Sequence, residues 1–202
     1  MRNLRIGGII LLMLLTINQG LIAKEGDELI GKPAPEWGTL KWMNSQPLQL
    51  SELADKVVLI RWWTETCPFC AASAPALNEF HDTFKDKGLV VIGMYHPKPP
   101  GPRHQKALEK AVKRLGFEFP IALDMDWGML RRYWLTKGKH RWTSVSFLID
   151  KRGKIRYIHP GGEYYKGEDG TRTEAQRDYD EVKGLIEKLI AETSQSKAKS
   201  SD

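Results

Sequence analysis

Cys67 and Cys70 are the only cysteines in a chain of 202 residues, and Pro68 and Phe69 stand between them. Two thiols at this spacing admit three uses: a structural disulfide, part of a metal site, or a dithiol that exchanges electrons. A bridge across so short a loop adds little to the fold, because the entropy removed from the unfolded chain grows with loop length. A structural zinc site takes four ligands, and no histidine pair stands near the cysteines. A c-type haem attachment takes His directly after the second cysteine, where this chain has Ala71. The redox dithiol is the use the spacing fits best.

That chemistry needs a strand to end, and a helix to begin, at Cys67. The run VVLIRWW, residues 57–63, is apolar on both alternations, which fits a strand covered on both faces. A helix is expected from Pro68 to about Lys87, with Gly88 as its cap and Pro75 as a kink inside it. Pro68 suits the first turn, where its missing N–H costs nothing. Cys67 would then face the free N–H groups of about Phe69 and Cys70 and the positive end of the helix dipole, both of which stabilise a thiolate. The thiolate is the attacking species in disulfide exchange, and Cys70, one turn on, can attack the mixed disulfide and release the partner.

The other elements follow from the same patterns. LQLSELADK (48–56) reads as a short strand and turn, LVVIGMYH (89–96) as a second buried strand, and PKPPGPR (97–103) as a loop. Residues 104–115 form an amphipathic helix stopped by Gly116, FPIALDMD (119–126) a short strand, and WGMLRRYW (127–134) a short helix. TSVSFLID, KRGK and IRYIH read as strand, turn and strand. A last helix runs from Thr173 to about Glu192, with Thr173 and Gln176 as a capping box. Strand–helix–strand units imply parallel pairing, and the hairpin adds antiparallel strands. The expected fold is α/β: a mixed central sheet with helices on both faces.

Composition sets the outer limits. A chain 41% hydrophobic and 28% charged suits one globular domain with a real core. Residues 1–23 carry Arg2 and Arg5, an apolar run to Ile17 and a small residue, Ala23, which is the order of a secretory signal; an uncleaved anchor is the alternative. The expected organisation is a signal peptide at 1–23, one domain at 24–193 and a disordered polar tail at 194–202. The net charge of +6 becomes about +4 without Arg2 and Arg5, and basic and acidic residues are interspersed. Nucleic-acid binding wants a concentrated basic face, and none is visible. The expected setting is periplasmic or otherwise extracytoplasmic, where oxidants reach cysteines.

With these residues in view, the chain resembles the periplasmic TlpA/ResA-like thiol–disulfide oxidoreductases of the thioredoxin fold. The matching stretches are GKPAPEW, LSELADKVVLIRWWTETCPFC, Pro75, and SVSFLIDKRGKIRYIHPG. The resemblance implies a dithiol at a helix N-terminus, electron exchange with protein thiols or disulfides and with a recycling partner, and no cofactor. Two positions depart from the family pattern. Three residues before Phe147, where the family has a cis-proline facing the cysteines, this chain has Ser144 after Thr143. A cis bond without proline costs about 3 kcal/mol, so a trans bond is expected, with consequences for substrate docking and for metal access to the thiols. At the strand position where thioredoxin holds a buried acid, this chain has Arg61.

Period two puts Arg61, Trp63 and Glu65 on one face. A cation under the dithiol would favour thiolates and hence the reduced form; pairing with Glu65 or Asp124 is the alternative. Arg61, Trp63, Glu65, Pro68, Phe69, Thr143 and Ser144 are the candidate substrate-binding or tuning residues around the catalytic pair Cys67 and Cys70. Trp142 is placed either in a docking groove or in the core, and His96 in a solvated loop. Two other functions compete. Thr64, three residues before Cys67, suggests a thiol peroxidase of peroxiredoxin type. The third possibility is a non-enzymatic module, either a scaffold or a copper-binding protein.

Overall fold

A computed structural model describes residues 24–101, 103–138, 140, 142–167 and 173–193. The expected signal at 1–23 and the tail at 194–202 lie outside the described residues. Six strands form one sheet: β1 (Lys41–Met43), β2 (Val57–Trp63), β3 (Leu89–Tyr95), β4 (Ile121–Leu123), β5 (Ser146–Ile149) and β6 (Ile155–His159). Their order across the sheet is β1-β4-β3-β2-β5-β6. The β2–β3 and β3–β4 pairs are parallel, and β1–β4, β2–β5 and β5–β6 are antiparallel. The mixed sheet is therefore as expected, with β2 at its centre.

The alternation along β2 decides what the two faces hold. Val57, Leu59 and Trp63 pack with α1 (Pro68–Phe84), α2 (Gln105–Leu115) and α4 (Glu174–Ala191) through Leu77, Phe80, Val112, Val182 and Ile186. Val58, Ile60 and Trp62 face the other way, into a cluster with Leu29, Trp37, Leu130, Tyr133, Trp134 and Phe147. That second face is covered by the N-terminal arm and by α3 (Gly128–Leu130), which continues into a wider π turn at Arg131–Leu135. Gly93, beside Arg61 on β3, has no room for a side chain: a Cβ there would lie 2.6 Å from Ile121 Cδ1 and 2.9 Å from Trp63 Nε1.

Three local expectations are corrected, and one strand is added. Residues 48–56 hold no strand; Leu50–Leu53 is a 3₁₀ turn capped by Gln49, whose backbone N–H donates to Glu52 at 2.9 Å. The edge strand β1 was not foreseen, being three residues long and paired only to β4. The helix after Cys67 ends at Phe84, and the chain tightens into a 3₁₀ turn at Lys85–Lys87 before Gly88, whose φ of 104° only glycine adopts readily. The capping box of α4 is half made: Thr173 Oγ1 accepts from the Gln176 N–H at 3.1 Å, but the Gln176 side chain turns to the Gly167 N–H and to Asp180.

Candidate active site

The site is assembled where β2 stops. His96 N–H donates to the Trp63 carbonyl at 2.9 Å, which carries the parallel pairing one step past the strand. A turn follows, closed by Cys67 N–H on the Thr64 carbonyl at 3.2 Å. Cys67 is the N-cap of α1, with extended backbone, and Pro68 occupies the first helical turn. The thiol does what an N-cap hydroxyl does elsewhere: Cys67 Sγ accepts from the Cys70 N–H at 3.2 Å. Cys67 is partly exposed, whereas Cys70 is buried to 2%. Both are free thiols here.

The two thiols are pushed apart in acidity. The hydrogen bond from the Cys70 thiol is the largest influence on Cys67 and, with the Cys70 N–H and the charges of Arg61 and Lys98, holds it down to about 6 against the effect of burial. Cys70 is driven up by that same bond to Cys67 and by burial, with Arg61 pulling the other way. An acidic outer thiol and a buried, protonated inner one is the division of labour that disulfide exchange requires.

Arg61 lies in the interior with no exposed surface, close enough for its charge to act on both thiols. Nη1 donates to Ser146 Oγ at 3.2 Å; Nη2 donates to the Gly162 carbonyl at 2.6 Å and, more weakly, to Ser73 Oγ at 3.5 Å. The guanidinium carbon sits 5.1 Å from the centre of the Tyr164 ring, and Nε has no partner. Tyr164 O–H and Ser146 Oγ are 3.0 Å apart, and Tyr164 N–H donates to Ser73 Oγ at 3.1 Å. The expected pairing with Glu65 or Asp124 is not found: among the described residues Arg61 makes no ion pair.

Glu65 is turned to another task. Its carboxylate accepts from Thr64 Oγ1 at 2.7 Å and Tyr95 O–H at 2.9 Å and pairs with Arg103 Nε at 3.5 Å. Burial pushes this carboxyl up, but those bonds and Arg103 outweigh it and leave it lowered. Glu65 thus fastens the turn before Cys67 to β3 and the proline loop, and is not seen under the thiols. Trp63 is a core residue, edge-on to Tyr95 and Phe117 at 5.1 and 5.2 Å, which removes it from the substrate-contact set.

The rim of the site is aromatic. Pro68 is exposed and Phe69 half-buried. Phe69 meets the Trp142 ring edge-on at 5.8 Å, and Trp142 is 50% exposed, so it belongs to the surface and not to the core. Trp142 rests on Gly161, where a Cβ would come within 2.3 Å of its own Cβ. Thr143 and Ser144 are both buried next to it, and Thr143 Oγ1 has no partner. Among the described residues the one cis bond is Lys98–Pro99, so the bonds joining Thr143, Ser144 and Val145 are trans. His96 is not a solvated loop residue: it is buried against Trp127, and burial, with Lys98, pushes it down to about 3. Sequence reasoning also missed Ser73, Ser146, Gly162 and Tyr164. Two serines on otherwise apolar faces were the available signal. Among the described residues no group of three His, Cys, Asp or Glu is placed to hold a metal ion.

With the geometry in place, comparison with known proteins places the chain. The AhpC/TSA family profile matches residues 30–158, well over half of the chain. The chain belongs to this family. Protein DipZ of Mycobacterium bovis is 32% identical over 131 residues, covering 63% of this chain but only 18% of DipZ. The chain thus spans under a fifth of the length of the first curated relatives it matches. Thiol-disulfide oxidoreductase ResA of Bacillus cereus is 28% identical over 140 residues, 69% of this chain and 75% of ResA. Among solved structures, a candidate thiol:disulfide interchange protein DsbE from Chlorobium tepidum superposes with a TM-score of 0.63 over 80% of this chain and 97% of its own, at 22% identity. The shared fold is thioredoxin-like.

Proposed function

We propose that this chain is a thiol–disulfide oxidoreductase that exchanges electrons with protein thiols or disulfides outside the cytoplasm, with residues 1–23 as its export signal or anchor. The observation that carries the reading is the helix cap made by a reactive sulfur. Cys67 Sγ takes the Cys70 N–H at 3.2 Å at the open end of α1, and the buried Cys70 thiol lies one turn behind. In exchange, the Cys67 thiolate attacks a partner disulfide, one partner sulfur bonds to Cys67 while the other leaves as a thiolate, and the Cys70 thiolate then expels the bound sulfur to close the Cys67–Cys70 disulfide; the reverse sequence accepts electrons. The Phe69 and Trp142 rings supply an apolar ledge beside the attacking sulfur for the partner chain. The basic and apolar order of residues 1–23 supports the extracytoplasmic setting.

The peroxidase alternative finds less support. The Thr64 hydroxyl, which would have to serve Cys67, donates to Glu65 at 2.7 Å. The test is to purify Cys70→Ser under oxidising conditions and look for proteins joined to it through a disulfide. Reducible adducts, absent from the Cys67→Ser/Cys70→Ser double variant, are the expected outcome. Cys67→Ser should lower disulfide exchange by at least about 10³-fold, since no sulfur nucleophile remains at the helix end. Peroxide consumption that survives Cys70→Ser, with no adducts, would replace this reading by the peroxidase one.

A further inference from the structure

The buried charge at Arg61 has consequences for the direction of electron flow. A guanidinium keeps its proton in proteins, and a buried charge is costly unless an opposite charge or a full set of hydrogen bonds meets it. Arg61 has neither. Its partners are neutral oxygens of Ser73, Ser146 and Gly162 and the face of Tyr164, and Nε is left without an acceptor. No carboxylate among the described residues pairs with it, although carboxylates occur on the elements around it. Glu65 is engaged by Thr64, Tyr95 and Arg103, and Asp178 by His159. His159, edge-on to Tyr164, is buried and held down chiefly by that burial, with Asp178 opposing.

The groups left to meet the cation are the sulfurs. Cys70 and Tyr164 belong to the same packed cluster, and Ser73, bonded to Arg61, stands one turn after Cys70 on α1. Resting on the exchange function proposed above, we infer that Arg61 is a positioning residue whose charge is balanced by the site's thiolate and left unbalanced in the disulfide, so that the reduced form is favoured and the protein takes electrons from dithiol substrates. In that direction a substrate thiolate attacks Cys67 Sγ, the Cys67–Cys70 bond breaks, and Cys70 leaves as a thiolate next to the cation before it takes a proton. The substrate's second thiolate then attacks its own sulfur in the mixed disulfide, and Cys67 leaves. Two electrons pass to the protein. Of the two protons the substrate gives up, one ends on Cys70 and one in solvent, because Cys67 stays ionised above about pH 6. A second oxidised protein disulfide, accepting the two electrons, returns the pair to its starting state.

The experiment is a redox equilibrium with reduced and oxidised glutathione at pH 7, read by thiol alkylation and mass. It is run on the full domain, on Arg61→Met and on Arg61→Lys. Arg61→Met should shift the equilibrium constant at least about tenfold toward the disulfide, which is roughly 30 mV for two electrons; Arg61→Lys should recover most of the shift. If Arg61→Met does not fold, Ser146→Asp serves instead. Its carboxylate would stand where Ser146 Oγ now accepts from Nη1, 3.2 Å away, and should move the constant in the same direction by compensating the charge. An unchanged constant in the folded variant overturns the inference and leaves the exchange function standing. If the unaltered protein does not equilibrate with glutathione at all, it is the exchange function that fails.

Discussion

Of the ionisable side chains buried in the fold, Asp124 and Arg61 face opposite sides of the sheet, and the fold treats them in opposite ways. Asp124 follows β4 and is 1% exposed. Its carboxylate accepts from the Met129 N–H at 2.9 Å, the Leu130 N–H at 2.7 Å and Trp62 Nε1 at 3.4 Å. Burial raises this carboxyl, and those three donors oppose the rise. It ties the backbone of α3 to the central strand, and each of its oxygens accepts at least one bond. Arg61 is as deeply buried, but its Nε is an orphan and its other contacts are neutral. A buried charge with its bonds complete belongs to the architecture. One with its bonds incomplete, close enough to act on two thiols, is the one we infer to serve the chemistry.

The contrast is most sharply tested by stability. Asp124→Ala leaves two backbone donors and an indole N–H without an acceptor, and each buried unsatisfied group costs on the order of 1–3 kcal/mol. The expected loss is about 3 kcal/mol or more in urea unfolding, with the glutathione equilibrium of the folded protein within about twofold of the parent. Arg61→Met should do the reverse. It removes a desolvated charge and strands only oxygens, some of which keep partners in Tyr164 and Phe69, so its stability cost should be the smaller of the two. Equal losses in both properties for both variants would dissolve the distinction.

How much of this was legible beforehand differs between the two faces as well. The strand–helix junction at Cys67 could be read directly, because apolar runs, Pro68 and the cysteine spacing all point to the same place. The helix stop at Gly116 was equally clear, whereas α1 ends four residues before Gly88, which caps the 3₁₀ turn that follows. The partners of Arg61 were not legible. Ser73 lies on α1, Ser146 on β5 and Tyr164 in a loop after β6, and only tertiary packing brings them together. Tyr164 lies in an irregular loop with no periodicity to mark it as buried, yet it closes the core. Glu65 misled for a related reason. Period two holds only while the strand lasts, and β2 ends at Trp63, so the turn swings Glu65 toward Tyr95 and Arg103. The edge strand β1 was missed because three residues show no alternation long enough to read.

A smaller effect tests whether the surface ledge works independently of the buried charge. Gly161 has φ 148° and carries Trp142 directly above its Cα. Gly161→Ala places a methyl group 2.3 Å from Trp142 Cβ, so the indole must move off Phe69. The expected result is a roughly three- to tenfold slower exchange with a protein disulfide, in the range of losing one aromatic contact, and an unchanged equilibrium with glutathione. A slowed reaction with both a protein and a small disulfide would mean that the ledge also shapes Cys67 itself.

The pH dependence of the reduced form sharpens the same comparison through the thiol itself. Cys67 is held at about 6, below the ordinary thiol value of 9.0, first by the bond from the Cys70 thiol and then by the Cys70 N–H, Arg61 and Lys98. For an acid whose value is lowered by folding, the stabilisation is complete above the unfolded value and is lost as the pH falls through the folded one. Reduced protein should therefore lose stability relative to Cys67→Ser as the pH drops from about 9 to about 6, and no further below that. Alkylation of Cys67 by iodoacetamide should rise through a midpoint near pH 6. Arg61→Met should move this midpoint upward, since a cation is removed, while Asp124→Ala, on the other face, should leave it in place. A midpoint that ignores Arg61 but follows Lys98→Ala would assign the electrostatic help to the proline loop and reduce Arg61 to a second Asp124.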